Sequence, residues 1–242
     1  MDKKKKEPLL IISGIFASIA LISGVLLVMH LYSTFSSQEE VQHSSQEEID
    51  FHYTLRVNAT DFQIALHDEL ILAYENYKEA QTMSTKEGYA KAIVKNFIAD
   101  FYTWSNKGGR TDVGGLQFIA PQIQSDFKRY AIDNFYLYLN QYIENHGAEN
   151  LLTVSDITIE KILLNETFEI GVELDEETGD VIAPITEEVI KVEASWEYAV
   201  SPLNEQAYFQ NKATFILTEE RDRLVIRVIQ ETLEEQEIEL IY

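Results

Sequence analysis

Apolar residues recur at three- and four-residue intervals between residues 60 and 145, a spacing typical of helices that bury one face. The pattern predicts three helices. They run from a cap at Thr60 to about Ala80, from the capping-box sequence at residues 84–87 to about Asn106, and from about Gln122 to Asn145. The apolar face of the third helix includes Tyr138. Before the helices, residues 51–57 alternate in polarity and predict a short strand.

From Leu151 onward the periodicity changes to alternation, which is typical of antiparallel strands with one buried face. The predicted strands begin near Ile157 and Phe168 and occupy residues 190–200, 209–217 and 224–228. Turns are predicted at the acidic residues 175–180 and at residues 219–222. The chain therefore has an α+β layout, in which an antiparallel sheet curls around about three helices.

The N-terminal part follows neither pattern, because residues 9–29 contain no charged side chain. As a helix this stretch is about 30 Å long, the thickness of a membrane's hydrocarbon core. Four lysines, Lys3 to Lys6, precede it and acidic residues follow it, so the positive-inside rule places the N-terminus in the cytoplasm. A cleavable signal peptide is the alternative, but its apolar region is usually shorter and ends at a small-x-small site.

These patterns divide the chain into four predicted parts. They are a cytoplasmic basic tip (1–8), a transmembrane helix (9–32), an acidic juxtamembrane spacer (33–50) and an extracytoplasmic α+β domain (51–242). The spacer holds two copies of Ser-Ser-Gln-Glu-Glu and has no core pattern. Small residues stand four apart in the membrane segment, as at Gly14 and Ser18, and this spacing allows two helices to associate closely.

Charge is distributed unevenly, with 19 basic and 41 acidic side chains and a net charge of −22. Without the first seven residues, which hold four lysines and two acids, 15 basic and 39 acidic side chains remain and the net charge is −24. Such a domain repels nucleic-acid backbones, so we expect no direct nucleic-acid binding. The absence of cysteine excludes disulfides, thiolate metal sites and a cysteine nucleophile.

The sequence contains no H-E-x-x-H, G-x-S-x-G, Walker or dinucleotide-binding motif. Two Gly-Gly pairs flank Arg110, but they lack the preceding strand and the Lys-Ser/Thr ending of a phosphate cradle, so turns are predicted there. His67 and His146 have no matching ligands at metal spacing, and residues 175–180 lack the pattern of an EF-hand loop. We therefore expect no catalytic, cofactor-binding or metal-binding residues and no cofactor.

The whole layout resembles the cone-shaped nuclear transport factor 2-like fold, and the chain is similar to the eighth VirB-type inner-membrane component of type IV secretion systems. The segments that carry the likeness are residues 53–57, 94–104, 127–130 and 192–198. In that family a cytoplasmic tip and one transmembrane helix precede an extracytoplasmic domain of this fold. The resemblance implies a non-enzymatic assembly factor of a DNA-transfer or secretion channel, in a Gram-positive version.

The expected function is therefore that of a membrane-anchored scaffold of a conjugation or type IV secretion channel. Its expected partners are other membrane-embedded channel components, further copies of itself, and the lipid bilayer through residues 9–32. A membrane-tethered sensor that binds a small apolar ligand is one alternative, and an enzyme that uses the pocket of the cone is another. A pocket filled by Trp196, Tyr198 and Phe215 would argue against both alternatives.

Overall fold

A computed structural model of the chain describes residues 52–174, 181–201 and 209–231. The predicted basic tip, transmembrane helix and spacer lie outside these ranges, as do the predicted acidic turn at residues 175–180 and residues 232–242. Within the described ranges, no helix combines the length and the apolar character needed to cross a membrane.

In the described residues the fold is α+β, with four helices packed on a four-stranded antiparallel sheet. The helices are α1 (Asp61–Glu79), α2 (Met83–Phe101), α3 (Pro121–Tyr130) and α4 (Leu139–His146). The strands are β1 (Val154–Leu174), β2 (Val181–Tyr198), β3 (Lys212–Glu220) and β4 (Arg223–Glu231), and they are adjacent in the order β1-β2-β3-β4. The predicted fold class is confirmed at this level.

Contacts divide the chain into two compact units. One comprises Glu47–Phe168 and Glu187–Tyr242, and it contains the helices and the core. The other comprises Met1–Gln46 and Glu169–Thr186, of which residues 169–174 and 181–186 are described as parts of β1 and β2.

The first two helices begin at reciprocal caps. The Thr60 hydroxyl accepts a hydrogen bond from the Gln63 amide, and the Gln63 side chain accepts one from the Thr60 amide, which confirms the predicted start of α1. The predicted cap of the second helix at residue 84 was wrong. There the Thr82 hydroxyl accepts a hydrogen bond from the Thr85 amide, and the Thr85 hydroxyl accepts one from the Thr82 amide. The usual capping-box pattern has Glu or Gln at the second position, and here a threonine hydroxyl acts as that acceptor.

Helix α2 is shorter than predicted and ends at Phe101 rather than near Asn106. The amides of Trp104 and Ser105 donate to the carbonyl oxygen of Leu152, so the chain leaves the helical path to meet the residues before β1. Trp104 nevertheless stays in the core, as the apolar pattern predicted.

The predicted third helix is three pieces. After α3, residues Ala131–Phe135 form a π-helical turn in which the Tyr136 amide donates to the Ala131 carbonyl, and α4 follows after a further turn. A π turn adds a residue to the helical repeat and so rotates the face that follows it. For this reason Tyr136 is fully buried, whereas Tyr138, which was predicted to be in the core, is 53% exposed.

The sheet confirms the alternation and corrects the predicted strand boundaries. Strand β1 is continuous where two strands were predicted, and Asn165 with a positive φ of 59° interrupts its regular path. Strand β2 pairs with β3 from Ile190 opposite Leu217 to Ser195 opposite Lys212. Its predicted inward side chains are buried up to Trp196, but Val200 lies beyond the strand and is 88% exposed.

The β3–β4 turn stores strain that can be relieved by substitution. Arg221 and Asp222 both have positive φ values, 50° and 62°, between the paired residues Glu220 and Arg223. Glycine is preferred at the second position of such a two-residue turn. We expect Asp222→Gly to raise the free energy of unfolding by about 0.5–1 kcal/mol in urea titrations.

Asp222→Ala is the control for the turn prediction, because it removes the same charge but keeps a Cβ. An equal gain from both variants would show that charge, rather than backbone strain, limits stability at this turn.

Candidate functional site

The N-terminal segment, residues 52–58, is held against the domain by partly buried charges. We call Arg56, Asp100, Lys107 and Asp112 the anchor network. Asp100 comes from the last turn of α2, and Lys107 and Asp112 come from the loop between α2 and α3. Two positive and two negative side chains make the network neutral, which is the condition for enclosing charges in a protein interior.

Arg56 lies at the centre of the anchor network. Its Nε donates to Asp100 Oδ1 at 2.9 Å, and its Nη2 and Nη1 donate to the two carboxylate oxygens of Asp112 at 3.0 and 3.2 Å. Nη1 also donates to the carbonyl oxygen of Asn106 at 3.0 Å. The planar fork of arginine suits such a bidentate contact, so the orientation of the segment is fixed as well as its position.

Lys107 caps the end of α2 from inside the protein. Its side chain is 0% exposed, and Nζ donates to the Asp100 carbonyl at 2.6 Å while lying 3.7 Å from Asp100 Oδ1. The neighbouring carbonyl of Ala99 accepts a hydrogen bond from the side-chain amide of Gln63, and the carbonyl of Phe101 accepts one from the Tyr136 hydroxyl. Three consecutive carbonyls at the C-terminus of α2 are thus satisfied by side chains, and the lysine charge is favourable at that end of the helix dipole.

The Gly-Gly loop closes around the carboxylates of the network. The Gly108 amide donates to Asp112 Oδ2 at 2.9 Å, and the Gly115 amide donates to Asp100 Oδ2 at 2.7 Å. These are the amides that a phosphate cradle would offer to its ligand, and here the protein's own aspartates bind them. Residues 107–115 are turns and irregular chain, as predicted.

Neutral side chains complete the attachment. Asn58 Nδ2 donates to the Asn106 carbonyl at 2.6 Å, and Asn106 Nδ2 donates to Gln63 Oε1 at 2.8 Å. On the other side of Arg56, the Thr54 amide and carbonyl both bond to the side-chain amide of Gln117, at 2.9 and 2.8 Å. Residues 52–56 do not form a strand. The predicted strand was wrong because Thr54 pairs with a glutamine side chain and not with a neighbouring strand.

Tyr53 adds an apolar contact to the same attachment. Its ring stacks on Phe118 at 5.6 Å and its hydroxyl is hydrogen-bonded to the Tyr89 hydroxyl. Burial raises the pKa of Tyr53 above its ordinary value, even though the hydrogen bond from Tyr89 opposes the shift. The segment is thus fixed at one residue by packing and at the residues around it by polar contacts.

The electrostatics of the network follow from burial and pairing. Burial lowers the pKa of Lys107 to about 8, and the nearby charge of Asp100 opposes that shift. Burial acts against the charged form of Arg56 too, but hydrogen bonds to Asp112 and the charge of Asp100 outweigh it and raise the pKa. The pKa of Asp112 is lowered, because the bonds from Arg56 and the Gly108 amide outweigh its burial.

The network has little room for a ligand. A cavity of about 20 Å³ lies beside it, bordered by Thr54, Arg56, His67 and Asp100, and this volume holds about one water molecule. Lys107 is fully enclosed and its ammonium group is already hydrogen-bonded. The geometry therefore suits the fastening of residues 52–58 to the domain.

Aromatic rings fill the space between α2 and the sheet. The ring centroids of Tyr102 and Trp196 are 4.2 Å apart, and Phe97 meets Phe215 at 5.8 Å. The Trp196 indole donates to the Tyr198 hydroxyl at 2.9 Å, which in turn donates to the Gln210 carbonyl at 2.7 Å. Trp196 and Phe215 are buried and Tyr198 is half-buried.

The two histidines singled out in the sequence do not come together in a site. His67 Nε2 lies 3.4 Å from the Tyr53 carbonyl, and His146 is the last residue of α4. No group of three or more His, Asp or Glu among the described residues is arranged to hold a metal ion.

Sequence reasoning missed the anchor network altogether. Arg56 lies within the predicted strand, and Lys107 lies within a predicted turn. Their partners lie 44 and 56 residues from Arg56 and 7 residues from Lys107, so no local spacing signals the cluster. The available hint was a basic residue inside an apolar, alternating segment of a strongly acidic chain.

Comparisons of the chain with protein-family models, with curated proteins and with solved structures found no match.

Proposed function

We propose that the protein is a non-enzymatic, membrane-anchored scaffold of a conjugative DNA-transfer or type IV secretion channel, with a nuclear transport factor 2-like extracytoplasmic domain. The described order of helices followed by four sequentially adjacent antiparallel strands supports this choice of fold. The uncharged residues 9–29, with lysines before them and acids after them, support the anchor and its orientation.

The attachment of residues 52–58 is the observation that carries the proposal. This segment follows the predicted spacer, and the anchor network, Gln117 and Tyr53 all fasten it to the domain. A segment held in this way belongs to the domain, so the predicted spacer is what links the domain to its proposed anchor. A short link of this kind keeps the surfaces of a scaffold close to neighbouring channel components.

The packing between the described helices and strands favours the scaffold over the two pocket functions. A sensor or an enzyme of this fold needs an open cavity between helices and sheet, and Tyr102, Trp196 and Phe215 occupy that space. Function is therefore assigned to the outer surface of the domain, through protein–protein contacts.

The chain has no cysteine, so single cysteines can report its topology without background. In intact bacteria with one membrane, we expect a membrane-impermeant maleimide to label Val200→Cys, whose parent side chain is 88% exposed. Lys4→Cys should be labelled only after lysis, because the positive-inside rule places it in the cytoplasm. Labelling of both or neither variant in intact cells would refute the proposed orientation.

The channel role needs a second measurement in a donor strain that encodes the protein. Deletion of the gene should reduce DNA transfer to background, and the full chain should restore it, whereas a chain without residues 1–32 should not. Detergent extracts should also yield other membrane-channel components with the full chain. Unchanged transfer after deletion would refute the channel role.

A further inference from the structure

The two edge strands of the sheet, β1 and β4, differ in their backbone contacts with residues outside the sheet. At the β4 edge, Ile119 forms a parallel bridge with Ile226, and the Ala120 amide donates to the Ile226 carbonyl at 2.9 Å. At the β1 edge, the Val154 amide donates a hydrogen bond to the Thr103 hydroxyl. Beyond it, residues 155–164 make no backbone hydrogen bond outside the sheet in the part of the chain that the structure describes. A strand edge that makes no such bonds offers donors and acceptors to a further strand.

From Asp156 to Glu160 the side chains along this edge alternate between the two faces of the sheet. Asp156, Thr158 and Glu160 are exposed, whereas Ile157 is buried and Ile159 is half-buried. The side chains of an added strand would also alternate between the two faces of the sheet, so each would lie beside the side chains of β1 on its own face. It would place every second residue beside the two carboxylates and the intervening residues beside the isoleucines.

We propose that residues 155–164 form a docking edge for an extended segment of a partner protein in which basic and apolar residues alternate. The proposal rests on the proposed scaffold function and names the kind of partner that the scaffold receives. Backbone hydrogen bonds supply the affinity, and the basic side chains, which lie next to Asp156 and Glu160, supply the selectivity.

A second copy of the chain is a poor occupant of this edge. Strand β1 carries five acidic residues and one lysine, so two such strands side by side would bring like charges together. The positive φ of Asn165 interrupts the edge and limits regular pairing to the preceding ten or so residues. Both features oppose self-pairing, and neither opposes a short basic strand.

The test uses the full chain in lipid nanodiscs and a ten-residue peptide of alternating lysine and valine. We expect the peptide to bind and to slow hydrogen exchange of the amides in residues 155–164. A peptide of the same sequence with an N-methyl group on every residue cannot donate a backbone hydrogen bond along either edge, so it should not bind. Equal binding of both peptides, or protection of other amides only, would overturn the proposal.

Charge variants separate local pairing from the general attraction of an acidic protein. Asp156→Lys with Glu160→Lys should weaken peptide binding about tenfold, because two attractive cross-strand pairs become repulsive. Asp68→Lys with Glu75→Lys makes the same change in charge on the exposed side of α1 and should have a much smaller effect. Tryptophan fluorescence confirms that each variant is folded.

Three further outcomes would also overturn the docking edge: equal losses in the two pairs of variants, no binding of either peptide, or concentration-dependent self-association that protects residues 155–164. The peptide assay does not depend on channel membership. If the edge binds the peptide but deletion leaves DNA transfer unchanged, the channel role is refuted and the edge stands. If deletion abolishes DNA transfer but the peptide does not bind, the docking edge is refuted and the channel role stands.

Discussion

Replacement of Gly114 by alanine is expected to lower the free energy of unfolding by about 3 kcal/mol. A Cβ at this position would overlap the carbonyl oxygen of Asp100 and lie 2.8 Å from its carbonyl carbon. Both are backbone atoms at the end of α2, so neither can move as a flexible side chain does. The displaced carbonyl is also the one that accepts the Lys107 hydrogen bond, so the anchor network would be disturbed together with the helix end.

Gly88→Ala is the matched control for this substitution. Gly88 lies inside α2, and a Cβ there would have no atom within 4 Å apart from the backbone of its own helix and its chain neighbours. Alanine is favoured over glycine in a helix interior, so this variant should gain about 0.5–1 kcal/mol. Urea titration of the full chain in detergent measures both, because the two tryptophans, Trp104 and Trp196, are buried in the domain. A loss at Gly114 no larger than the change at Gly88 would contradict the close packing of the loop on α2.

The features that the sequence predicted well are those decided by neighbouring residues. Thr60 and Gln63 are three residues apart, and their exchange of hydrogen bonds needs nothing else, so the start of α1 could be predicted. The alternation from Ile190 to Trp196 reports burial on one face directly, and the structure buries those side chains.

The features that sequence reasoning missed are decided by contacts between distant parts of the chain. The π turn before Tyr136 places that ring in the core and its hydroxyl on the Phe101 carbonyl, which lies 35 residues away. The sequence does not reveal the contact between Tyr136 and Phe101, and without it the apolar pattern predicts a single straight helix with Tyr138 in the core. The anchor network is a similar case, since Arg56 finds its carboxylates only after α2 and the loop have folded.

The stability of the domain should increase as the pH rises from about 8 to 10. The pKa of Lys107 is lowered from 10.5 to about 8 in the folded protein, chiefly by burial. Between these values the unfolded chain binds the additional proton, so raising the pH favours the folded state. A shift of this size adds about 2–3 kcal/mol by pH 10. Above pH 10 the trend reverses, because burial raises the pKa of Tyr53, Tyr89 and Tyr136 and their ionisation favours unfolding.

Lys107→Met isolates the contribution of the lysine, since it keeps most of the side-chain volume and removes the ionisable group. We expect the unfolding free energy of this variant, measured by urea titration at pH 7, 8, 9 and 10, to lack the rise seen in the parent chain. Lys128→Met is the control, because Lys128 is exposed on α3 and should leave the rise unchanged. If the parent chain shows no rise, or if both variants lose it equally, then the Lys107 ammonium is not held at an energetic cost inside the anchor network. The segment at residues 52–58 would then be fastened mainly by Arg56 and its two aspartates.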